Sequence, residues 1–183
     1  MNEQIAKVLL EKRAVTLNAK DPFTYVSGIR SPIYCDNRQM IAYPEEREQI
    51  IDAFINKSQD YEFDIVAGTS TAGIPWASWI SDKLNKPMAY IRGAKKGHGA
   101  GNQIEGANVN GEKVLIVEDL ISTGGSSFSA VEAVREAGGS CVAVVAIFTY
   151  DFKKAGQVFK KGGCKLLTIT NFSTLVNVAK NDG

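Results

Sequence analysis

Two rhythms of apolar and polar residues alternate along most of the chain. Short, nearly continuous apolar runs occur at FDIVAGT (63–69), PMAYIR (87–92), KVLIVED (113–119), SCVAVVAIFTY (140–150) and KLLTIT (165–170). Runs of this density suit strands covered on both faces. Between and after them lie segments of helical period: GIPWASWISDKL (73–84), GSSFSAVEAVREAGG (125–139), DFKKAGQVFKK (151–161) and NFSTLVNVAK (171–180). Strands that alternate with helices predict an α/β fold, with a central, mostly parallel sheet flanked by helices and joined by right-handed crossovers.

The first third of the chain is less regular. Ile5, Val8 and Leu9 share one face of a predicted helix over 2–14. FTYVSGIRSPIYCDNR (23–38) is β-prone but interrupted by Gly28 and Pro32, which predicts short extended segments or a hairpin. Pro44, with Glu45 and Glu46 after it, marks a helix start, since proline suits the first turn and acids complement the helix dipole there. That helix is expected to reach Ser58, with Ile50, Ile51, Phe54 and Ile55 turned inward. Residues 93–112, rich in glycine and without periodicity, interrupt the alternation. A connection of that length in a compact domain is usually functional or disordered. Ligands of open parallel sheets bind at the carboxyl ends of the strands, so the chemistry is sought at 68–75, 92–105 and 118–126.

Composition narrows the class. A length of 183 residues fits one domain, and 44% hydrophobic with 22% charged residues is the balance of a soluble globular protein. The net charge of +1 argues against a dedicated nucleic-acid binder or a protein of anionic membrane surfaces. No apolar run approaches the roughly 20 residues that span a bilayer. The first 14 residues lack the uninterrupted apolar stretch of a secretory leader, so a cytoplasmic location is expected. Cys35, Cys141 and Cys164 stand far apart without a CxxC pair, which favours reduced thiols over disulfides or a zinc site. Trp76 and Trp79, three apart on a predicted helix, are expected to pack in the core or against another copy of the chain.

The strongest chemical signal is VLIVEDLISTGGSS (114–127). A buried strand ends in two acids, Glu118 and Asp119. A turn through Leu120, Ile121, Ser122, Thr123, Gly124, Gly125 and Ser126 then opens a helix. Backbone N–H groups at a helix start, close approach permitted by glycine, and hydroxyl donors together make a phosphate cradle. Carboxylates beside a phosphate would repel it unless they met hydroxyls or a cation, so a sugar diol or Mg²⁺ is their natural partner. The plainer reading is a helix N-cap with a solvated acid pair. GxxxxGK[ST] is absent, because Glu112 stands where the lysine belongs, and GxGxxG is absent too. GTSTAGIP (68–75) offers Thr69, Ser70 and Thr71 as hydroxyl and backbone donors for a further phosphate, or simply caps a helix. Arg92, Lys95, Lys96 and His98, set among glycines, could close over a leaving group on which negative charge grows. The plainer reading is a solvated basic loop.

Residues 113–126 resemble the phosphoribosyl-pyrophosphate (PRPP) motif of the type I phosphoribosyltransferases. FTYVSGIRSPIYCDNR, VAGTSTAGIP and YIRGAKKGHGAGNQIEG resemble, in the same order, blocks of the orotate phosphoribosyltransferases. The resemblance implies a type I phosphoribosyltransferase-like fold with a small N-terminal hood (about 1–40) and a flexible catalytic loop (about 93–106). It implies transfer of the 5-phosphoribosyl group from PRPP to orotate, giving orotidine 5′-monophosphate and pyrophosphate in pyrimidine biosynthesis. Arg92, Lys96 and His98 would be catalytic. PRPP would be bound by those three with Lys95, Glu118, Asp119, Leu120, Ile121, Ser122, Thr123, Gly124, Gly125, Ser126, Thr69, Ser70 and Thr71. Orotate would meet Ser122, Tyr34, Cys35 and Arg30. Mg²⁺ would be held mainly by PRPP and water, with no direct protein ligand. A homodimer would share its active sites across the interface. Where many relatives carry lysines or an orotate-binding arginine, this chain has Val26, Ala72, Gly93 and Phe152. A purine phosphoribosyltransferase and a non-catalytic PRPP sensor are the alternatives. The first is separated by base preference; the second usually adds a basic face or a nucleic-acid module.

Overall fold

The computed structural model describes residues 2–18, 20–24, 30–93 and 103–181. The chain opens with helix α1 (Asn2–Glu11), whose Ile5, Ala6, Val8 and Leu9 are buried. Four short strands follow: β1 (Val15–Leu17), β2 (Phe23–Thr24), β3 (Arg30–Ser31) and β4 (Ile33–Cys35). They form two separate antiparallel pairs, β1 with β4 and β2 with β3. The run 23–38 thus forms short extended segments, as its sequence predicts, with Pro32 separating β3 from β4, whose partner lies upstream. A 3₁₀ segment (Asn37–Ala42) leads into α2 (Pro44–Ser58), which has proline at its start and acids in its first turn, as its sequence predicts.

The main sheet holds β5 (Ile65–Thr69), β6 (Met88–Ile91), β7 (Ile104–Gly106), β8 (Lys113–Ile121), β9 (Ser140–Thr149) and β10 (Leu166–Asn171) in the order β10-β9-β8-β5-β6-β7. All neighbours are parallel except β7, which runs antiparallel on the β6 edge. The expected loop therefore ends before Ile104. Residues 104–106 lack a strand's periodicity but gain order from their ladder with Ala89–Ile91.

Helices α3 (Gly73–Leu84), α4 (Gly125–Glu136), α5 (Lys153–Lys161) and α6 (Phe172–Asn181) complete two covering layers. Period-2 alternation decides which layer each strand residue meets. Leu115 and Val117 join Ile5, Phe54, Trp76 and Leu175 in a core under α1, α2, α3 and α6. Val114 and Ile116 join Val131, Val134 and Phe159 in a core under α4 and α5. Trp76 is buried edge-on to Trp79 at 5.5 Å, and the Arg47 guanidinium lies 4.4 Å from the Trp79 ring centre, so both tryptophans pack rather than bind. Among the described residues, no helix is long and apolar enough to cross a membrane.

One close approach fixes where the site opens. A side chain on Gly68 would stand 2.7 Å from the Gly73 carbonyl oxygen and 2.9 Å from Ala77 Cβ. The end of β5 and the start of α3 therefore touch backbone to backbone, which keeps the Thr69–Ala72 turn short. Gly68→Ala should cost about 1–3 kcal/mol, because backbone must move to make room. Gly156→Ala, in the exposed middle of α5 with nothing within 4 Å, should stabilise by about 0.5–1 kcal/mol. Thermal and chemical denaturation of the two variants should shift in opposite directions.

Candidate active site

The carboxyl ends of β5, β6 and β8 surround a cavity of about 340 Å³. Thr69, Ser70 and Thr71 form one wall, Arg92 and Gln103 a second, and Glu118, Asp119 and Ser126 a third. Of the expected positions, Thr69–Thr71, Arg92, Glu118–Leu120 and Ser126 are brought together at this cavity, while 121–125 do not line it. Strand β8 runs two residues past the acids, with Leu120 opposite Phe148 and Ile121 opposite Thr149. Leu120 reaches the cavity. Ile121 is fully buried, so its side chain cannot touch a ligand there, and its carbonyl accepts from Tyr150 N–H at 3.3 Å. Ser122 and Thr123 sit half-buried in the turn that follows.

The cradle has the form its glycines require. Gly124 caps α4 with φ of 81°, a left-handed conformation that favours glycine, and no side chain caps this helix start. Its open side packs on α5, where a Cβ would lie 3.2 Å from Ala155 Cα and from the Phe159 ring. The first turn, Gly125–Ser126–Ser127, thus offers free N–H groups with the positive end of the dipole behind them. An anion is the natural occupant.

The acids are held by groups the sequence did not single out. Glu118 accepts from Ser127 Oγ at 3.1 Å and from the Asp119 N–H at 3.0 Å. Asn37, 1% exposed, donates its amide to the Asp119 carbonyl oxygen at 2.7 Å and accepts from the Cys35 thiol at 3.1 Å. No residue-type signal marks Asn37; only the fold brings it 82 positions along the chain to this strand. Thr69 Oγ1 donates to the Val117 carbonyl oxygen at 3.2 Å, fastening the β5 turn to the same strand. Burial, and then the neighbouring Asp119 charge, push Glu118 up to about 7. Burial also raises Asp119. Near neutrality the pair therefore holds a proton part of the time.

Arg92 is placed by two reciprocal bonds. Its N–H donates to the Gln103 carbonyl at 2.8 Å, and Gln103 Nε2 donates to the Arg92 carbonyl at 2.9 Å. Its guanidinium lies 3.6 Å from Glu105. Lys95, Lys96 and His98 lie outside the described residues.

On the hood side, strand alternation separates the two expected orotate contacts. Tyr34 is 43% exposed and packs on Phe23 at 5.6 Å. Cys35 is 6% exposed with its thiol turned to Asn37, and burial pushes that thiol well up. The Cys35 side chain is thus turned inward, opposite to Tyr34, which leaves its backbone as the group on the hood side of the strand. Arg30 is exposed and lines a separate apolar pocket of about 250 Å³ with Pro32, Ile33, Tyr150, Phe152 and Phe172.

An uncapped helix start, a half-buried acid pair and a hydroxyl turn at the carboxyl ends of a parallel sheet form a donor and acceptor set that suits a phosphorylated sugar. The family described as phosphoribosyl transferase domain matches residues 39–179. An orotate phosphoribosyltransferase of Staphylococcus saprophyticus is 54% identical over 185 residues, covering all of this chain and 91% of its own. One from Listeria monocytogenes serovar 1/2a is 50% identical over 184 residues, covering 100% of this chain and 88% of its own. The crystal structure of the orotate phosphoribosyltransferase of Aeropyrum pernix superposes with a TM-score of 0.85 at 28% identity, over 98% of this chain and 99% of that one. The chain belongs to the phosphoribosyltransferase family, in its orotate phosphoribosyltransferase branch.

The acid pair has a stability signature. The folded protein binds a proton at Glu118 up to about pH 7, while the unfolded chain releases it near the ordinary 4.5. The neutral carboxyl thus favours folding below about 4.5, and that contribution, up to about 3 kcal/mol, is lost as pH rises through 7. Urea denaturation across this range should show the wild type losing stability relative to Glu118→Gln. Parallel profiles would contradict this environment for Glu118.

Proposed function

We propose that the protein transfers the 5-phosphoribosyl group from PRPP to orotate, giving orotidine 5′-monophosphate and pyrophosphate. The observation that carries this reading is the adjacency of the uncapped α4 start and the Glu118–Asp119 pair at the end of one strand. A sugar phosphate spans such a site. Its 5-phosphate takes the N–H groups of Gly125–Ser127, and its ring hydroxyls donate to the two carboxyls. Thr69, Ser70 and Thr71, across the cavity, offer donors to the pyrophosphate.

In the reaction, N1 of orotate bonds to C1 of the ribose as the bond from C1 to the pyrophosphate oxygen breaks, with inversion. The N1 proton is acidic enough that no strong protein base is needed. The protein's share is positioning and electrostatics. Arg92 stands at the cavity wall to meet charge growing on the leaving group, and Lys95, Lys96 and His98 follow it in sequence as its proposed partners. The donor chemistry at the wall, two carboxyls beside hydroxyls, fits Mg²⁺. Held mainly by PRPP and water, with Glu118 and Asp119 nearby, Mg²⁺ would neutralise phosphate charge. On the base side, Tyr34 offers a ring to stack on, with Ser122 and Arg30 as further contacts. A homodimer with shared active sites, working in the cytoplasm, completes the proposal.

PRPP and Mg²⁺ supplied with orotate, adenine or hypoxanthine should give turnover with orotate alone. Product from a purine and none from orotate would overturn the assignment. Lys96→Ala should lower kcat by about 100-fold or more with PRPP affinity largely kept, as expected for a group that acts on the transition state. An unchanged kcat would remove Lys96 from catalysis. Asp119→Asn should weaken PRPP binding by about 10-fold or more in calorimetry, the size of a lost bond to a charged acceptor.

A further inference from the structure

At the opposite end of the sheet, two cysteines meet that the sequence separates by 23 positions. Cys141 Sγ, at the start of β9, lies 3.6 Å from Cys164 Sγ, in the turn between α5 and β10. Both are free thiols, and both pack in the core under α4 and α5. Cys164 also lines a cavity of about 540 Å³ with Phe159, Lys160, Gly163, Lys165 and Leu166. Cys164, though only 8% exposed, meets this cavity, while Cys141, half-buried beside it, does not line it. Cationic side chains surround this opening: Lys160 and Lys165 line it, and Arg135 on α4 bonds the carbonyls of Gly162 and Gly163, at 2.9 and 3.4 Å.

We propose that Cys141 and Cys164 form a dithiol site that exchanges with small anionic disulfides and closes into an intrachain disulfide. In the first step, Cys164 Sγ attacks one sulfur of the small disulfide. A mixed disulfide forms, and the other half leaves as a thiolate that takes up the proton Cys164 gave. In the second, Cys141 Sγ attacks Cys164 Sγ, the protein disulfide forms, and the second small thiol leaves with the Cys141 proton. The protein is oxidised by two electrons and the small disulfide is reduced to two thiols, so the exchange balances.

The order of attack follows from the surroundings. The Cys141 thiol beside Cys164, with the Arg135 charge, holds Cys164 below the usual thiol range. The same neighbour and burial push Cys141 well up. The sulfur that meets the cationic cavity is thus the attacking one, and the half-buried thiol beside it the resolving one. Cys35 serves as an internal control, since it is buried far along the chain and bonded to Asn37.

The test is incubation of the full chain in a series of reduced and oxidised glutathione, followed by acid quench, unfolding, alkylation and peptide mapping. The alkylated thiols should fall from three to one, with Cys141 joined to Cys164 and Cys35 still alkylated. Cys141→Ser should stop at a glutathione adduct on Cys164, and Cys164→Ser should leave both remaining thiols free. Three alkylated thiols across the series, or a mapped bond through Cys35 or to a second chain, would overturn the proposal. The wild-type map decides the pairing even where a variant fails to fold. Loss of this exchange would leave the phosphoribosyl transfer reading untouched, because that reading rests on the other end of the sheet.

Discussion

Two neighbouring carboxyls, held largely out of water at the end of β8, are the costly feature around which the site is arranged. Buried like charges repel and lack hydration, so a folded chain tolerates them only with donors in place. Ser127 Oγ and the Asp119 N–H supply two for Glu118. Asn37 and Thr69 fix the strand's own carbonyls on either side, at Asp119 and Val117. The uncapped start of α4 stands beside them with the opposite electrostatic character. An acid pair and a positive helix end, one turn apart, call for a ligand with hydroxyls at one end and phosphate at the other.

Much of this was legible in the chain. The extents of α2 and α3 follow from Pro44 and from the glycines and apolar spacing of 73–84, because local propensity and packing agree there. The β8 turn was legible because phosphate binding needs glycine and hydroxyl residues in a fixed order. Strand β7 was not, since Ile104–Gly106 is ordered by its ladder with β6 rather than by its own pattern. The hood was blurred for the same reason: β4 pairs with β1 across an intervening pair of strands. Tyr34 and Cys35 illustrate a parity that residue types leave open. Alternation sends one outward and one inward, and only the pairing of β4 decides which.

The two ends of the sheet carry different chemistry on one scaffold. At the carboxyl ends, backbone donors and acids face a shared cavity. At the amino ends of β9 and β10, sulfur atoms meet because the turn before β10 runs beside the first residues of β9. Helix α5 touches both. Its Ala155 and Phe159 back the Gly124 cap, and the turn beyond its last residue carries Cys164.

Asn37 gives the hood a mechanical meaning. One fully buried amide links the thiol of β4 to the main chain of β8, so it rivets the small N-terminal strands to the acid-bearing strand. Any displacement of the hood is then felt as a tilt of the Asp119 peptide. The short N-terminal strands and the acid-bearing wall of the cavity are therefore mechanically coupled through one amide side chain.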